Sequence, residues 1–165
     1  MKKSSIILIV IAVLAVIWGV SAYNGLVTMD ENVNTEWANV ETQYQRRADL
    51  IPNLVNTVKG YAAHESETLE SVIAARSKAT QITIDPANLT PEKLAEYQEA
   101  QGAVTSALGK LLAISESYPD LKANQNFLEL QAQLEGTENR INEARRKFNN
   151  VAKEYNTAIR RFPKS

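Results

Sequence analysis

Two hydrophobic rhythms run along this chain. The first is an uninterrupted block: Ser4 to Tyr23 carries no charge, and its centre, Ile6 to Val20, is almost entirely isoleucine, valine and leucine. The second is periodic. From Asp120 onward Phe127, Leu134, Ile141, Phe148, Tyr155 and Phe162 recur every seven residues, the interval that lines one stripe of an α-helix for knobs-into-holes packing. Read as alternating steps of four and three, the interleaved positions are Gln131, Glu138, Arg145, Ala152 and Ile159, which makes the middle of this seam polar. Pro119 ends what precedes the helix and Pro163 closes it, predicting a rod of about 40 residues and about 60 Å.

A partner stripe lies earlier, in Val33, Trp37, Val40, Tyr44, Arg47, Ile51, Leu54, Val58 and Tyr61. Pro52 falls inside it. Lacking a donor and crowding the preceding turn, it predicts a kink rather than a chain reversal. Gly60 offers a C-cap, and Leu69, Val72, Ile73 and Arg76 predict a shorter second helix after His64. The periodicity fails between Gln81 and Thr90, and Thr90-Pro91 reads as an N-cap followed by proline at the first helical position. The third helix then has the seam Leu94, Tyr97, Gln101, Val104, Leu108 and Leu111. Gly102 and Gly109, seven apart, are expected to admit a close neighbour at a propensity cost of about 1 kcal/mol each. The fold class that follows is all-α: an N-terminal transmembrane helix, then an up-and-down antiparallel four-helix bundle whose first and last helices form a long hairpin. Residues 1–23 are the stub and anchor, and residues 24–165 the helical body.

The anchor assignment rests on length and charge. At about 1.5 Å per residue, residues 4–23 span roughly 30 Å, the thickness of the hydrocarbon core. Their Ile, Leu and Val side chains favour insertion by about 4 to 5 kcal/mol. Val20-Ser21-Ala22 also fits a small-x-small cleavage site, but the run exceeds the roughly 7 to 15 residues of a signal-peptide core. Lys2 and Lys3 precede the run while Asp30 and Glu31 follow it, so the N-terminus is expected to stay inside and the body to be exported.

Charge and composition narrow the chemistry. Eighteen basic residues nearly cancel nineteen acidic ones, leaving no net field for a nucleic acid. The chain has no cysteine, which removes disulfides, thiol nucleophiles and thiolate metal sites. The single histidine, His64, precedes Glu65, but Thr68 stands where a zinc-protease helix would need its second histidine. No cofactor or metal is therefore expected, and no catalytic residue.

The segment from Arg46 to Leu54 is the candidate site, because Arg47 puts a charge on an apolar seam. With Leu26 beside Phe162, Arg47 would stand level with Ile141 and Glu138 would be the nearest seam carboxylate. Arg46 or Arg47 is expected to pair with Glu138, and Asp49 to answer Arg145; a buried network fixing helix register outweighs a ligand site as the reading of these residues and Pro52.

The residues Tyr23-Asn24-Gly25-Leu26-Val27, the run from Arg46 to Tyr61 with Ala62-Ala63-His64-Glu65, Tyr118-Pro119-Asp120-Leu121-Lys122-Ala123-Asn124, Glu138-Asn139-Arg140-Ile141, Ala144-Arg145-Arg146 and Arg161-Phe162-Pro163 resemble, in order, the LemA family of bacterial envelope proteins. The resemblance implies a single transmembrane segment carrying an extracytoplasmic helical bundle, with membrane or envelope organisation as a theme and no catalytic residue to carry over. Many members continue past the Phe-Pro pair, whereas this sequence ends at Lys164-Ser165. The expected function is a non-enzymatic scaffold that contacts the bilayer through residues 4–23 and assembles with itself or with other envelope proteins. A module recognising a small ligand or peptide between helices is the alternative.

Overall fold

The computed structural model describes residues 2–161. Among them all regular structure is helical, in five helices: α1 (Lys3–Lys59), α2 (Ser66–Gln81), α3 (Pro91–Ser115), α4 (Pro119–Lys122) and α5 (Gln125–Arg160), with a 3₁₀ turn at Pro86–Asn88. α1 is 57 residues long and runs unbroken through both Asn24-Gly25 and Pro52. Its N-terminal part is long and apolar enough to cross a membrane, and Ile6 to Val20 expose their large apolar side chains. Length and composition suit this stretch to an apolar solvent.

Two compact units divide the chain, Met1–Ala38 with Arg145–Ser165, and Asn39–Ala144. In the first, α1 and the end of α5 run side by side: Trp37 and Phe148 are both buried, their ring centroids 5.1 Å apart at an interplanar angle of 59°. Leu26, Met29 and Val33 on α1, with Tyr155 and Ile159 on α5, are half-buried along the same line. In the second, one core takes Ile51, Leu54 and Val58 from α1, Leu69 and Val72 from α2, Val104, Leu108 and Leu111 from α3, Leu121 from α4 and Phe127, Leu130 and Leu134 from α5. Helical spacing on each element delivers one stripe to this core.

The helix starts have identifiable chemistry. Thr90 Oγ1 accepts the Lys93 N–H at 3.2 Å and Pro91 occupies the first helical position of α3, as the sequence predicts. Asn124 Oδ1 accepts the Phe127 N–H at 2.9 Å and opens α5. The rod expected from Asp120 is therefore interrupted: Pro119–Lys122 forms one separate turn that buries Leu121, and the long helix begins at Gln125. The expected seam position Phe162 and the closing Pro163 lie outside the described residues.

Three sequence expectations change. On α5 the buried positions between the heptad residues Phe127, Leu134, Ile141 and Phe148 are Leu130, Thr137 and Ala144, each one residue before the predicted Gln131, Glu138 and Arg145; Arg145 is exposed. The spacing is three then four, because two apolar side chains and a small hydroxyl can enter the core where a charge would lose its hydration. Ile73 and Tyr61 are 51% and 43% exposed rather than on seams. Gly102 and Gly109 admit no close neighbour, since a methyl at either position would meet nothing within 4 Å. Gly60 stands where the C-cap is expected, directly after the last residue of α1, without a left-handed backbone; the Tyr61 and Ala62 N–H groups bond back to the Val58 carbonyl.

Candidate functional site

Arg47 is only 1% exposed, so its charge must be answered from within. Nη1 donates to Thr105 Oγ1 at 2.6 Å and to Glu138 Oε1 at 3.1 Å. Nη2 donates to both the backbone carbonyl and Oε1 of Gln101, each at 2.8 Å. Thr105 in turn donates to the same Gln101 carbonyl at 3.2 Å. The fork of a guanidinium matches this set, because its donors lie in one plane and each acceptor comes from a different direction. Arg47 faces Glu138 directly instead of standing level with Ile141, so the register of α1 on α5 is about three residues from the one anchored at Phe162. On its remaining edge Nε has no partner among the described residues, and neither does Gln43 Oε1 four residues earlier.

Aromatic rings close the network. The Arg47 guanidinium carbon lies 5.0 Å from the Tyr44 ring centroid, within range of a cation–π contact. Tyr44 meets Tyr97 edge-on, centroids 5.6 Å apart. Burial, reinforced by the nearby Glu41 carboxylate, holds the Tyr97 hydroxyl protonated well above its ordinary 10.0.

One turn further on, Pro52 leaves the Ala48 carbonyl without its intrahelical donor. Arg76 of α2 supplies a replacement, its Nε donating to Ala48 O at 2.8 Å. Sequence reasoning misses this contact, although Arg76 has a place on the predicted α2 seam; the signal is the pairing of an interior proline with an arginine on an apolar stripe.

Arg46 and Asp49 point elsewhere. With Leu50 on α1 they line an open groove of about 480 Å³, whose other wall is Ala132, Gln133, Gly136, Thr137 and Arg140 of α5. Asp49 accepts from Gln45 Nε2 at 2.9 Å, while Arg46 and Arg140 are exposed. His64 is exposed as well. The arrangement offers fixed hydrogen bonding and charge rather than a poised nucleophile or base.

Comparison with known proteins gives consistent results. Residues 36–165 match the LemA family. The magnetosome protein MamQ of Magnetospirillum gryphiswaldense is 29% identical over 86% of this chain and 58% of its own length. MamQ 2 of Paramagnetospirillum magneticum is 28% identical over 94% of this chain and 65% of its own. Protein LemA of Metamycoplasma hominis is 27% identical over 74% and 52% respectively. The chain thus spans between half and two thirds of the length of these relatives.

Proposed function

Because this chain belongs to the LemA family, we propose that it is a membrane-anchored, non-enzymatic scaffold or interaction protein of the bacterial cell envelope. The observation that carries this reading is the exposed, charge-free stretch of α1, continuous with a helix whose later turns are buried in a polar-surfaced core. Residues 4–23 cross the inner membrane with the N-terminus in the cytoplasm, in keeping with Lys2 and Lys3 before the run and acids after it. The body is an up-and-down four-helix arrangement with α1 and α5 as its long hairpin, a reading supported by the core that all helices share. It assembles with further copies or with other envelope proteins, and organises membrane. The similarity to magnetosome proteins supports that theme.

Fractionation with alkaline carbonate, followed by cross-linking in native membranes, tests the proposal. The chain should stay with the membrane pellet and yield higher-mass adducts. Recovery in the soluble fraction removes the anchor; only monomer, with no co-purifying protein, removes the scaffold. The absence of native cysteine allows Ser117→Cys to report topology, since an impermeant maleimide should label it from the periplasmic side.

The groove between Arg46 and Arg140 supports a second reading, recognition of a small ligand or peptide, as its volume lies within the usual range of ligand sites. Gly136→Leu would fill it without touching the core. Loss of a ligand-dependent rise in melting temperature in that variant favours this reading over the scaffold.

A further inference from the structure

We propose that Arg160 and Arg161, at the C-terminal end of α5, hold the phosphates of lipid headgroups beside the point where α1 leaves the hydrocarbon. The inference rests on the anchored reading above and adds a lipid contact made by the far end of the chain.

Position comes first. Trp37 packs on Phe148 within the unit that contains both ends, and antiparallel helices advance by the same rise per residue. Twelve steps back along α1 from Trp37 reach Gly25, and twelve steps forward along α5 from Phe148 reach Arg160. Leu26 and Ile159, one step inside that level, are both half-buried, as two helices still in contact there require. The apolar run closes at Tyr23, Asn24 and Gly25 follow it, and the first charge beyond is Asp30. Arg160 and Arg161 therefore stand about 3 Å or less beyond Tyr23 along the axis, inside a headgroup layer roughly 5 to 7 Å deep.

Charge comes second. Both arginines are exposed, and no ion pair among the described residues engages either. The next acids on α1, Asp30 and Glu31, begin about 8 Å further out along the helix from Gly25, near the screening length at physiological salt. Two exposed guanidinium groups at phosphate depth recognise phosphate oxygens in bidentate fashion. Each basic residue near an anionic surface strengthens attraction by about fivefold.

The test uses the full chain in nanodiscs of mixed phosphatidylglycerol and phosphatidylcholine, solubilised gently and assayed for retained lipid. Phosphatidylglycerol should be enriched about fivefold or more over the bulk ratio, and Arg160→Gln with Arg161→Gln should return it to the bulk ratio. Lys153→Gln, an exposed change of one charge on α5 nearer its middle, should leave enrichment intact. Enrichment that survives the double substitution, or that Lys153→Gln abolishes equally, overturns the proposal. So does stabilisation of the lipid-free protein by inorganic phosphate without lipid enrichment, which assigns the arginines to a free anion. A chain that fails to insert ends the anchored reading, and the lipid contact with it; a chain that inserts without enrichment ends the lipid contact alone.

Discussion

At the residue scale the fold depends on how two arginines are satisfied. Arg47 spends two nitrogens on four acceptors, of which Glu138 alone is charged. Glu138→Ala should destabilise by about 2 to 3 kcal/mol, below the usual cost of breaking a buried pair, because Gln101 and Thr105 remain and the carboxylate is partly solvated. A fall of about 8 to 10 °C in thermal midpoint is expected, and an unchanged midpoint would refute a structural role for the pair. Arg76 and Pro52 make a coupled case. Arg76→Ala leaves the Ala48 carbonyl unpaired and should cost about 1 to 2 kcal/mol. In a Pro52→Ala background the restored backbone N–H at that position again donates to the Ala48 carbonyl, so the same change should cost less. A double-mutant cycle by urea unfolding measures the coupling, and strict additivity would show that Arg76 does not compensate for the proline.

Element by element, the sequence is most legible where spacing and caps act together. The α1 stripe from Trp37 to Val58 and the Thr90-Pro91 start of α3 follow from local rules alone. The interleaved positions of α5 sit one residue from their predicted line because Phe127, Leu134, Ile141 and Phe148 repeat every seven but leave open whether the intervening core position lies three or four residues on; only packing decides in favour of Leu130, Thr137 and Ala144. In the candidate site, the Arg47–Glu138 contact can be read from a charge on a seam, whereas the roles of Gln101, Thr105 and Arg76 depend on tertiary register. Gly102 and Gly109 look like contact points by spacing, yet they face open space. Their replacement by alanine should stabilise α3 by about 0.5 to 1 kcal/mol each, seen as additive rises in thermal midpoint; a loss would reveal a close partner at that face. Between α1 and α3, Tyr97 has a pH consequence. Its folded-state pKa is raised above the unfolded value, so its contribution is complete below pH 10 and declines as pH rises beyond it. Tyr97→Phe should flatten that alkaline decline in urea-midpoint measurements, while an identical pH profile would show that the hydroxyl is not held neutral.

For the whole molecule, the two compact units predict separable responses to truncation. A chain ending at Ala144 retains every core residue of the Asn39–Ala144 unit but removes Phe148 from Trp37. Helical circular dichroism from α2 and α3 should persist, while Trp37 emission, isolated by Trp18→Phe, should shift to the red. Simultaneous loss of both signals would mean that neither unit stands without the other. The apolar block and the seams are visible in the sequence as blocks and stripes; the division into units is not, because it reflects which distant segments meet.

The pairing of Trp37 with Phe148 also sets a timetable for biogenesis. The tryptophan leaves the ribosome long before its partner, and closing so large a loop adds an entropic cost that only finished neighbours can offset. Until the later turns of α5 have been made, an indole remains uncovered, so an interrupted polypeptide carries an apolar flag that quality-control proteases can read.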